Sequence, residues 1–165
     1  PMKKALLSLI AVAALAGVGY WQFSGTAKTA PDVVFTSLTG QQVSTKDLRG
    51  KVVLVKFWAT SCVTCIQQMP DTVQAYEDFS PKGYEVIAVA MQYDPPNYVK
   101  NYSDTRKLPF TVAIDSQGKI AQAFGDVQLT PTAFLIDKQG HIIKRYLGNY
   151  DKVAFRNTVE KALAG

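Results

Sequence analysis

The chain has 165 residues, of which 47% are apolar and 19% charged, and a formal net charge of +5. This is enough for one domain with a proper core that needs no disulfide staple. Lys3 and Lys4 supply two of the positive charges, and the rest are too few and too dispersed to argue for nucleic acid. No charge run, repeat or low-complexity stretch stands out.

Lys3-Lys4 precede an uncharged run from Ala5 to Phe23 that ends in Tyr20, Trp21 and Phe23. Basic residues ahead of an apolar segment mark export and place the N-terminus in the cytoplasm. The run has the length of a membrane span, and Tyr20-Trp21 suits the far interface. Residues 1–23 therefore read as an uncleaved anchor, with a cleaved secretory signal as the alternative. Residues 24–31 are small and polar and read as a linker, leaving 32–165 as the exported domain.

Within that domain, Val33–Phe35 and Gln42-Val43 predict a hairpin around Thr39-Gly40, followed by a capped turn over Ser44–Leu48. Lys51–Phe57 predicts the central strand, because Val52-Val53-Leu54-Val55 is β-branched and apolar, as a buried strand should be. Met69, Val73, Tyr76 and Phe79 then recur at helical spacing, and Pro70 is expected to kink that helix. Tyr84–Met91 predicts a second buried strand and Pro95–Lys107 a loop with a polar helix. Phe110–Ile114 reads as a short strand and Lys119–Phe124 as a short helix or extended piece. Thr132–Ile136 and His141–Tyr146 predict a hairpin, and Asp151–Leu163 an amphipathic closing helix. Strands alternating with helices, then a hairpin and a helix, describe an α/β domain with a mixed sheet.

The only two cysteines, Cys62 and Cys65, lie three positions apart where the strand feeds the helix. The free N–H groups and positive end of a helix stabilise a thiolate at its first position. Cys65, one turn along, can attack a mixed disulfide formed on Cys62. This pattern reads as a dithiol–disulfide exchange site that needs no metal or other cofactor. Structural zinc would need two more ligands, and His141 is the sole imidazole. A purely structural disulfide would close too short a loop to stabilise much.

Together these elements resemble the thioredoxin fold, and within it the exported, membrane-anchored TlpA/ResA-like thiol–disulfide oxidoreductases. The residues that carry the likeness are Gly50–Val55, Phe57-Trp58-Ala59-Thr60, Cys62, Cys65, Met69-Pro70 and, far downstream, Thr130–Asp137 with Gly140. It covers roughly 31–164, and the stretch between Ala90 and Leu129 matches an insertion of that branch. The resemblance implies a thioredoxin-like mixed central sheet flanked by helices, with an N-terminal hairpin and a central insertion. It implies a cis Pro131 against the cysteine pair, a Thr130 backbone that binds substrate strand-wise, and a Trp58 that shields the site, although a plain core tryptophan is the alternative.

Four positions depart from the family pattern: Ser61, Thr64, Gln68 and Lys56. Gln68 and Lys56 stand where related proteins carry acids, which makes them candidates for proton handling. Lys56 either snorkels out at the strand edge or stays near the pair as a charge. The function the resemblance implies is reduction of protein disulfides in cytochrome c or copper-oxidase maturation. Electrons would come from a DsbD/CcdA-type membrane donor, on the periplasmic side of the bacterial inner membrane. A Sco-like copper-binding factor and a disulfide oxidase or isomerase are the alternatives. A peroxidase is disfavoured by Val55 and Ala59, where proline and threonine are expected.

Overall fold

The computed structural model describes residues 2–23 and 28–165, and the side chains of 2–14 and 28–165. Helix α1 (Met2–Phe23) leads the chain, and residues 2–14 are all exposed, so residues 2–14 belong to no core. Among the described residues, no helix is long and apolar enough to cross a membrane. The aromatic end of the expected anchor and most of the expected linker lie outside the described side chains. The linker reading is too long at its far end. Lys28–Thr29 form β1, which pairs with Ile142 and His141.

A small hairpin follows, with β2 (Val34–Thr36) against β3 (Gln42–Ser44). Next comes a single 3-10 turn over Lys46–Leu48, where Ser44 and Asp47 cap one another reciprocally. The other strands are β4 (Val52–Trp58), β5 (Tyr84–Ala90), β6 (Thr111–Ile114), β7 (Thr132–Ile136) and β8 (His141–Leu147). With β1 they form a six-stranded sheet in the order β1-β8-β7-β4-β5-β6. β4, β5 and β6 run parallel, while β7 and β8 are antiparallel additions. The fold is thioredoxin-like: a mixed central sheet flanked by helices.

All seven residues of β4 are buried because both faces of the sheet are covered. Val52, Leu54 and Trp58 point to the side of α2 (Val63–Phe79), α3 (Pro96–Arg106) and α5 (Lys152–Ala164). Val53, Val55 and Phe57 point to Phe35 of the hairpin and to α4 (Lys119–Ala123). This period-two division is a direct reading of strand geometry. Pro70 lies inside α2 without ending it, on the exposed side, where the hydrogen bond it cannot donate is least costly.

Register decides where chemistry can occur. Trp58 pairs with Ala90, and Phe57 with Thr132. One edge of the sheet therefore gathers the end of β4, the end of β5 and the start of β7. The loops that carry Cys62, Asp94 and Pro131 all leave from that edge.

Candidate active site

Cys62 caps α2 in an extended conformation, and its Sγ accepts the Cys65 N–H at 3.2 Å. Their Cα atoms are 5.2 Å apart and a disulfide joins them. Cys62 is half-buried, whereas Cys65 is fully buried in the core with Trp58 and Met69. The helix N–H is therefore aimed at the reachable sulfur. On reduction that donor and the positive end of a 17-residue helix stabilise a thiolate on Cys62.

The turn ahead of the pair is fixed by a residue the sequence did not single out. Asp94, buried after β5, accepts from the Thr60 N–H at 2.7 Å and from the Thr60 hydroxyl at 2.6 Å. Such charge-assisted bonds are strong when desolvated, and they hold the backbone two residues before Cys62. A contact across 34 positions has no local signal. Only the pairing of Thr60 with the Asp94-Pro95 turn hints at it.

The Thr130–Pro131 bond is cis, as the resemblance implied. Pro131 is buried and Thr130 half-exposed. The Pro131 carbonyl accepts from the Gly148 N–H at 2.9 Å, and the Gly148 carbonyl accepts from Gln68 Nε2 at 2.9 Å. Gly148 has φ +71, which only glycine adopts readily, so it can face both partners. Gln68 Nε2 also donates to Asn149 Oδ1, and Lys56 Nζ donates to Gln68 Oε1 at 2.8 Å. Lys56, Gln68, Gly148 and Pro131 thus form one hydrogen-bonded series from β4, through the cysteine helix, to the cis-proline loop.

Trp58 and Lys56 each take one of the two alternatives open to them. Trp58 is completely buried and packs on Tyr102, with ring centroids 5.3 Å apart, so it cannot touch a substrate. It is a core residue beneath the pair, because β4 carries its even-numbered side chains under α2. Lys56 does not snorkel. It is fully buried, and its strand is central rather than at an edge. Desolvation pushes its amine down to about 7, with the Asp71 carboxylate pulling the other way. Among the described residues, no cluster of His, Cys, Asp and Glu side chains could hold a metal ion. His141 begins β8, at the opposite end of the sheet from Thr132.

A thioredoxin-like fold that places a half-exposed and a buried cysteine at a helix N-terminus, beside a cis-proline, defines a thiol–disulfide oxidoreductase. Comparison with known proteins agrees. The Redoxin family profile matches residues 26–163, and the chain belongs to that family. It is 37% identical over 134 residues to the thiol-disulfide oxidoreductase ResA of Bacillus anthracis, covering 81% of this chain and 76% of that one. ResA of Geobacillus kaustophilus is 32% identical over 160 residues, covering 92% and 88%. A crystal structure of a thiol:disulfide interchange protein of the thioredoxin family from Chlorobium tepidum superposes with TM-score 0.77. It is 28% identical and covers 85% of this chain and 99% of that one.

Proposed function

We propose that this enzyme is an exported reductant of protein disulfides, tethered to the periplasmic side of the bacterial inner membrane by its N-terminal segment. The observation that carries the exchange mechanism is the asymmetry of the pair. Cys62 is reachable and receives the helix N–H, while Cys65 lies buried behind it. Cys62 attacks a substrate disulfide and forms a mixed disulfide. Cys65 then attacks Cys62, the substrate leaves with both of its sulfurs reduced, and the enzyme is left oxidised.

The relatives named thiol-disulfide oxidoreductase ResA support thiol–disulfide exchange. The resemblance to the exported TlpA/ResA-like branch is the motive for proposing the reducing direction, with substrates in cytochrome c or copper-oxidase maturation. In an oxidising compartment the pair rests as a disulfide unless a donor reduces it, so a DsbD/CcdA-type membrane dithiol donor completes the cycle. The tether reading rests on Lys3-Lys4 and the uncharged run to Phe23, together with exposed Leu6, Leu7, Leu9, Ile10 and Val12 on α1. For the substrate, the half-exposed Thr130 ahead of the cis-proline is the residue whose backbone would pair with an extended chain. Exposed Val63, Leu129 and Leu147 give an apolar rim for an extended polypeptide.

Redox titration of the Cys62–Cys65 couple against glutathione or dithiothreitol tests the direction. The expected potential is below about −200 mV, on the glutaredoxin-to-thioredoxin side of the scale. A value close to about −120 mV, that of the strong oxidants, would make the protein an oxidase.

A further inference from the structure

Lys56 is the most deeply buried charged side chain among the described residues, and it has only neutral partners. Its Nζ donates to Gln68 Oε1 at 2.8 Å and to Thr72 Oγ1 at 3.0 Å. The Thr72 hydroxyl hydrogen is committed to the Gln68 carbonyl, so this oxygen must accept from Lys56. The Gln68 amide nitrogen is committed to Gly148 and Asn149, so its oxygen faces the amine. Two N–H bonds are what a neutral amine can donate. The amine also lies over the Tyr150 ring, 5.8 Å from its centroid, and bonds to no carboxylate. The closest acid in the sequence of α2, Asp71, is paired with Lys152 at 2.6 Å.

Gln68 and Thr72 follow Cys65 at spacings of three and seven, on the same face of α2. Gln68, whose side chain holds the amine, therefore follows Cys65 by about one helical turn, roughly 4.5 Å along the axis. We propose that Lys56 stores a proton for the cysteine pair: it is a neutral amine beneath the disulfide and an ammonium beneath the reduced pair, where it holds one sulfur ionised. It is a positioning residue that acts through the field beneath α2, not a group that touches the reacting atoms. The inference rests on the exchange reading of Cys62 and Cys65.

The balance is complete. Two electrons from a dithiol donor break the S–S bond, and the two protons the donor thiols release go one to a cysteine sulfur and one to the Lys56 nitrogen. When the pair is oxidised by a substrate disulfide, the two electrons and both protons pass to the substrate thiols. A buried amine near neutrality, as burial makes this one, is poised for such a change. The other titratable groups around this region are Asp71 on α2, Tyr84 and Glu85 on β5, Tyr146 on β8, Tyr150 ahead of α5, and Lys152 and Arg156 on α5. Burial raises all three tyrosines, so they stay neutral near pH 7, and Arg156 stays charged. The thiols and the amine are the groups left to exchange protons there.

The experiment follows the Lys56 13Cε resonance against pH in the wild-type protein, oxidised and then reduced with dithiothreitol. Lys56→Met assigns the signal by its loss. The expected midpoint is near neutrality in the oxidised form and higher in the reduced form, by at least tenfold in proton affinity. Thiolate absorbance of reduced Lys56→Met should fall severalfold at pH 7 relative to wild type. Equal midpoints in the two redox states, or an amine that stays charged throughout in the oxidised form, would overturn the proposal. Insulin reduction by the wild type is run alongside. If it fails while the midpoint moves, the reductase reading falls and the proton store stands. If it proceeds with a fixed midpoint, only the proton store falls.

Discussion

Cys62→Ser abolishes dithiothreitol-driven insulin reduction, to below about a thousandth of the wild-type rate, because serine can neither form a thiolate near neutral pH nor carry a disulfide. Cys65→Ser behaves differently. Its Cys62 still receives the helix N–H and still attacks, but no buried sulfur remains to release the product. Mixed disulfides between Cys62 and the substrate should accumulate and be visible on non-reducing gels, with turnover also lost. The two variants share an inactive phenotype and are separated by trapping. Equal trapping by both would show that the assignment of nucleophile and resolver is wrong.

The second large effect concerns stability rather than turnover. The Lys56 amine is held down to about 7 in the oxidised fold, against an ordinary 10.5 in an unfolded chain. Between those values the unfolded chain binds more protons than the native protein, so stability rises with pH across that window. The burial penalty is full below about pH 7 and is relieved as pH climbs toward 10.5. Urea unfolding of the oxidised wild type should gain up to about 1.4 kcal/mol per pH unit between pH 7 and 10. Lys56→Met should flatten this slope. It gains relative to wild type at pH 7, but leaves the Gln68 and Thr72 oxygens short of a donor. Parallel pH profiles for the two proteins would mean that the buried amine stays charged.

Much of this domain can be read from local pattern. β4, β5 and the β7–β8 hairpin are continuous or alternating apolar runs bounded by turn residues, so their existence follows from burial on one or two faces. The cysteine pair is equally plain, because its spacing and its place at a helix start carry the chemistry without tertiary information. What escaped the sequence depends on distant partners. β1 is two residues long and exists only because β8 offers an edge. Asp94 looks like a turn residue until Thr60 is seen against it. The sheet order makes β4 central, which buries Lys56 and Trp58 together. A strand read alone cannot show whether a lysine in it reaches water, nor that Gly148 and Gln68 would meet.

The central claim is that Cys62 is the reactive nucleophile of a redox dithiol and Cys65 its shielded partner. The most direct measurement reduces the protein, exposes it to limiting iodoacetamide near neutral pH, and follows each cysteine by peptide mass spectrometry. The expected result is that Cys62 is alkylated at least about tenfold faster, since it combines exposure with the helix N–H that stabilises its thiolate. Equal rates at the two sulfurs, or faster modification of Cys65, would contradict the account.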